Sequence, residues 1–184
     1  RTWDLVDGDA TFMEGVEDNS YDFVHSSHCL EHLKDPKVGL KNWFRILKPR
    51  GYLIVTVPDE DLYEQGVFPS TFNTDHKCTF TISKNESWSK NSINIFDLLP
   101  SLGEAAEVVK VELLNHSYRY VLPRFDQTLT PVAEAGIEFI VRKRPQEEVA
   151  FCGLHKHPGE VDGTLFQLLT GIKKPITNKK KEKV

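Results

Sequence analysis

The sequence predicts an open α/β sheet. Two observations carry that expectation. Apolar strand patterns alternate with helical ones, and the run "GYLIVTVP" (51–58) has the near-continuous apolar character of a strand buried on both faces of a parallel sheet. A third is the amphipathic segment "DPKVGLKNWFRILKP" placed directly between two such strands, as a crossover connection requires.

Taken in order, "WDLVDGDA" reads as a short strand ending in an acidic turn, and "YDFVHSS" (21–27) as a second strand. The helix that follows has Asp35 as N-cap and Pro36 at its first position. Val38, Leu40, Trp43, Phe44, Ile46 and Leu47 form its apolar face, and Lys48-Pro49 ends it. Residues 59–90 are polar, aromatic and irregular. "SINIFDLLPSLG" (92–103) reads as a helix with Gly103 past its end. "AEVVKVELLNH" (106–116) and "GIEFIVRKR" (136–144) read as strands joined by a loop, and "DGTLFQLLTGI" (162–172) as a short final helix.

The chain of 184 residues is long enough for one domain with a sizeable core, and 39% hydrophobic with 27% charged residues is ordinary for a globular protein. The net charge of −4 argues against nucleic acid as a partner. The basic stretch 173–184, with six Lys and one Glu, reads as a disordered tail. Three cysteines, Cys29, Cys78 and Cys152, form no disulfide framework and favour a reducing compartment, the cytoplasm. No apolar run reaches the length of a membrane span, and the N-terminus lacks the apolar core of a signal peptide. The expected organisation is a single domain over 1–172, with a lid-like loop at 59–90, an extension at 144–172 and the tail at 173–184.

Open α/β sheets bind ligands beyond the carboxyl ends of their strands. That directs attention to Gly8-Asp9-Ala10, Ser26-Ser27-His28 and Pro58-Asp59. The stretch "DGDATFMEGVEDNSYDFVHSSHCLEHLKDPKVGLKNWFRILKPRGYLIVTVPD" resembles the second half of a class I S-adenosylmethionine (SAM)-dependent methyltransferase of the type 11 group. The shared features are the Gly-Asp-Ala turn, the "YDFVHSSHCLEHL" strand and turn, and the "LKPRGYLIVTVP" strand. Arg50 departs from the glycine usual in the family. A type II turn wants positive φ there, so Arg50 suggests a different turn.

The resemblance covers residues 3 to 60 strongly and 92–143 in pattern. It implies a Rossmann-like sheet of strand order 3-2-1-4-5-7-6. No Gly-rich SAM-binding loop occurs in the 184 residues. Since one βαβ unit takes about 30 residues or more, the resemblance implies that roughly 45–60 residues of the family's domain are missing ahead of Arg1. The expected fold class is therefore a truncated α/β sheet, 4-5-7-6, with strands 1 and 2 absent and "WDLVDGDA", strand 3, displaced. The bared edge at 21–27 predicts a homodimer or higher oligomer joined there.

For function, the resemblance implies methyl transfer from SAM to an oxygen or nitrogen of a small-molecule or saccharide acceptor. The alternative is a non-catalytic truncated domain that self-associates without SAM. Asp9 and Ala10 would face the adenine and Phe12 would wall it, although a turn acid such as Asp9 also serves as a simple cap. Ser26 and Ser27 would lie beside the methionine part of SAM. His28 would orient the acceptor or act as general base, or be a strand-end histidine satisfied by backbone. His76, in "NTDHKCTFT", is a second acceptor-side candidate. With the Gly-rich loop absent, SAM binding by these residues is expected to be weak or nil.

No metal is expected. His28 and His32 would chelate as an i, i+4 pair on a helix, but they fall at a strand-to-turn boundary, and His25 is expected to point into the sheet or its covering helices. Cys152, His155 and His157 lack a regularly spaced fourth partner. Glu31 and His32 are read as capping and packing residues.

Overall fold

The structure, a computed structural model, describes residues 1–82 and 84–153. The predicted final helix, the Lys-rich tail, His155 and His157 lie outside the described residues.

A mixed four-stranded sheet runs in the order β1-β2-β6-β5, where β1 is Tyr21–Ser27, β2 Leu47–Pro58, β5 Ala106–Leu114 and β6 Gly136–Lys143. β1 and β2 are parallel, and β6 is antiparallel to both β2 and β5. A small parallel pair, β3 (Thr79–Thr81) and β4 (Ser92–Asn94), makes a second sheet. The crossover from β1 to β2 carries α1, Pro36–Arg45, which starts where Asp35 accepts the Val38 amide at 3.0 Å. Its C-terminal end is held from across the sheet. Lys143 of β6 donates to the carbonyls of Phe44, Arg45 and Leu47 at 3.2, 3.1 and 2.8 Å, placing a cation on the negative end of the helix.

The core lies on one face of the sheet. Leu53, Val55 and Val57 of β2 and Ile137, Phe139 and Val141 of β6 are fully buried against Leu40, Trp43 and Phe44 of α1 and Ile95 and Leu98 of α2 (Ile95–Leu98). Each is worth about 1.5–3 kcal/mol of apolar burial. The other face is more open: Phe23 is 65% and Tyr52 42% exposed. β2 is therefore not buried on both faces as its apolar run suggests. Its side chains alternate between a covered and a half-covered face, because the packed helices among the described residues lie on one side. His25, expected to point inward, is exposed on β1.

Three further expectations are corrected. "WDLVDGDA" is not a strand: Leu5–Asp7 is a 3-10 turn, Val6 is 95% exposed, and the segment joins no sheet among the described residues. The expected helix 92–103 divides into strand Ser92–Asn94, helix Ile95–Leu98 and a 3-10 turn Leu99–Leu102, the helix starting where Asn94 caps the Phe96 amide. At Arg50 the turn is kept, not replaced: Arg50 itself adopts φ +72°, inside an offset where Tyr21 pairs with Leu47 but Phe23 with Tyr52. Gly51 is the residue that must be small, since a Cβ there would meet the Asp22 carbonyl oxygen at 2.8 Å.

Candidate functional site

The parallel strands β1 and β2 deliver their carboxyl ends side by side. The His28 amide, just past β1, donates to the Thr56 carbonyl at 2.9 Å. His28 has φ +51°, which turns the chain sharply into a 3-10 turn, Leu30–His32. Past β2, Asp59 caps the π-helical turn Glu60–Glu64 by accepting the amides of Asp61 and Leu62 at 3.0 and 3.1 Å. Burial pushes the Asp59 carboxyl up to about 6 against those two bonds.

The 59–90 segment is folded onto these strand ends. Glu60 is fully buried and gathers Thr79, Ser87 and Lys84 at 2.9, 2.6 and 2.7 Å. Burial works to raise its pKa, and these partners outweigh it, so the carboxyl titrates below its ordinary value. The Lys77 amide donates to the Glu31 carbonyl at 2.7 Å, which brings "TDHK" against "LEH".

The result is a cluster around Glu31. Its side chain is wholly buried, and neither carboxylate oxygen has a hydrogen-bond partner among the described residues. Oε1 lies 3.5 Å from His28 Nδ1, 3.9 Å from His32 Nε2 and 4.0 Å from His76 Nε2. His76 donates from Nδ1 to Glu64 at 2.8 Å, accepts at Nε2 from the Asn73 amide at 2.9 Å, and stacks on Tyr63 at 5.6 Å. His32 donates from Nδ1 to Asp75 at 2.9 Å. The Glu31 carboxylate pulls His28 above its ordinary pKa, with burial opposing. Burial raises Glu64, with the His76 bond opposing. Burial also raises the Cys29 thiol and pushes Cys78 up to about 12, so both stay protonated at neutral pH.

The two candidate catalytic histidines are thus brought together, both within 4.0 Å of one oxygen of Glu31. They differ in access: the His28 side chain is 49% exposed and that of His76 1%. His28 is open to a ligand from solvent, whereas His76 is enclosed by its neighbours. The sequence reading assigned Glu31 to packing and passed over Glu64. The signal available was Glu31 beside His32; Glu64 has no histidine near it in sequence, and its link to the cluster through His76 comes with the long-range Lys77–Glu31 bond.

The candidate cofactor residues are divided. Ala10, Ser26 and Ser27 line a cavity of about 590 Å³ along β1, shared with Trp3, Tyr21, His25 and Trp43. The Ser26 hydroxyl is buried there without a partner. Asp9 and Phe12 do not line it. Asp9 accepts the Thr11 amide at 2.8 Å, the capping use of a turn acid, and hydrogen bonds from the Thr11 hydroxyl and then its amide lower the Asp9 pKa. The Ala10 carbonyl accepts Trp43 Nε1 at 2.8 Å, and Phe12 is 50% exposed. A second cavity, about 640 Å³, is lined by Asp61, Leu62 and Gln65 together with Tyr118, Tyr120 and Arg124. The Glu60–Glu64 turn therefore faces that cavity with some side chains and His76 with others.

Residues 4–92 match the family model of a methyltransferase domain. That span contains every residue of the Glu31 cluster. Among solved structures, the chain is similar to SAM-dependent methyltransferases of Methanosarcina mazei (17% identity, 74% of this chain and 65% of that chain, TM-score 0.47) and Thermotoga maritima (23%, 75% and 62%, 0.46). It is also similar to one of Archaeoglobus fulgidus (16%, 74% and 66%, 0.47). The chain spans less than two thirds of the length of each. No curated protein sequence matches it. Among the described residues, no helix is long and apolar enough to cross a membrane.

Proposed function

We propose that this chain is the acceptor-facing part of a SAM-dependent methyltransferase, acting on an oxygen or nitrogen of a small-molecule or saccharide acceptor. The observation that carries the reading is the placement of Ser26, Ser27 and His28 at the carboxyl end of β1, inside the stretch that matches a methyltransferase domain. SAM supplies an activated methyl group, and its transfer needs the nucleophile held in line with that methyl. Ser26 and Ser27 would border the methionine part of SAM along the β1 cavity. His28, half exposed and paired with Glu31, would orient the acceptor and take its proton at Nε2, Nδ1 being turned towards the carboxylate.

The adenine role of Asp9 is kept only as a secondary contact, since its carboxylate already serves its own turn. That observation supports the second reading: a non-catalytic domain that self-associates through β1 and binds no SAM.

The test is a kinetic split in a preparation that turns over. His28→Ala is expected to lower turnover by about 10²-fold while leaving SAM affinity unchanged. An equal loss of SAM binding would assign His28 a structural role.

A further inference from the structure

We infer that Glu31, His32 and His76 form a binding site for a divalent transition-metal ion of the zinc class. The inference stands on the cluster itself and needs no methyl transfer. One ligand atom from each of the three lies within 4.8 Å of the others. Tetrahedral ligation at about 2.0–2.2 Å places ligand atoms about 3.4 Å apart, so the histidines approach Glu31 by about half an ångström from 3.9 and 4.0 Å, and the whole set closes from a spread within 4.8 Å.

The hydrogen bonds fix which atoms face inward. His32 and His76 each donate from Nδ1 to a carboxylate, Asp75 and Glu64 respectively. Such carboxylate–histidine pairs orient metal ligands and make Nε2 the nitrogen available to an ion. Both Nε2 atoms lie within 4.0 Å of Glu31 Oε1. Two imidazole nitrogens therefore converge on a buried carboxylate that has no hydrogen-bond partner among the described residues, with His28 Nδ1 3.5 Å from the same oxygen, an arrangement that a cation satisfies. The Asn73 amide, 2.9 Å from His76 Nε2, is the group an ion would displace. Two imidazoles and one carboxylate select zinc-class ions over magnesium or calcium, and leave a fourth position open beside the half-exposed His28.

The experiment is calorimetric titration of the chelator-treated chain with zinc, alongside the visible absorption of added cobalt as a probe of coordination. About one ion is expected to bind in the micromolar range or tighter, with a tetrahedral cobalt spectrum. His32→Ala, at a side chain 30% exposed, should abolish the spectrum and weaken zinc by more than tenfold. Asp75→Asn, at a side chain 67% exposed, should weaken it by about tenfold, and it carries the test should His32→Ala lose the fold. Cys152→Ser should leave binding unchanged. No binding at millimolar zinc, or binding that survives both His32→Ala and Asp75→Asn, or binding that Cys152→Ser abolishes, overturns the inference.

Discussion

His76 Nδ1 and Glu64 Oε1 lie 2.8 Å apart, with both side chains almost wholly buried. The bond joins the π-helical turn after β2 to the returning limb of the 59–90 segment. Removing one partner of a buried pair leaves the other unsatisfied, which costs more than the pair is worth in water. Glu64→Ala should therefore destabilise the chain by about 3 kcal/mol, and Glu64→Gln, which can still accept, by about 1 kcal/mol. Urea unfolding measures both. Equal effects below about 0.5 kcal/mol would mean that the segment is held by other contacts.

Asp59 makes a second prediction, with its sign set by burial. Its carboxyl titrates at about 6 in the fold against 3.8 as the ordinary value. Between those pH values the folded chain holds a proton that the unfolded chain has released. Stability from this group is greatest at low pH and falls as pH rises from about 4 through about 6. Asp59→Asn removes that dependence but keeps an oxygen to accept the amides of Asp61 and Leu62. The variant should match the wild type near pH 4 and exceed it by on the order of 2 kcal/mol at pH 7. Urea midpoints of the two proteins across this range give the difference directly. A wild type that gains on the variant as pH rises would reverse the assignment.

Assembly follows from β1. Among the described residues the strand pairs with β2 alone and its other edge carries no ladder, and the exposed Phe23 is in register with the exposed Tyr52. Residues 1–3 wall the 590 Å³ cavity along this edge without forming a strand. An open strand edge beside apolar side chains is a template for a second copy. Light scattering at micromolar concentration should give a dimer or larger species, and Phe23→Lys should shift it towards monomer. A folded monomer at those concentrations would contradict the edge assignment.

The sheet strands were legible because their apolar patterns are local: "YDFVHSS", "GYLIVTVP" and "GIEFIVRKR" each identify themselves. So was the start of α1, where Asp35 and Pro36 act within one turn. "WDLVDGDA" was misread because a short strand exists only with a neighbour to pair, and Val6 and its flanks find none among the described residues. The surroundings of Glu31 were only half legible. His28 and His32 flank it locally, but His76 reaches its carboxylate through the tertiary contact of the Lys77 amide with the Glu31 carbonyl. Arg50 shows the reverse case: it adopts the positive φ of the turn itself, while Gly51 beside it makes the close approach to Asp22.

The central claim is that the carboxyl end of β1 faces SAM. Amide NMR of the chain during titration with SAM to about 1 mM tests it most directly, because a site worth only about 4 kcal/mol is half filled there. The account predicts weak, fast-exchange shifts centred on Ser26, Ser27, His28 and Ala10, with smaller ones at Asp9. No shifts at that concentration, or shifts confined to residues lining the cavity of Tyr118 and Arg124, would contradict it.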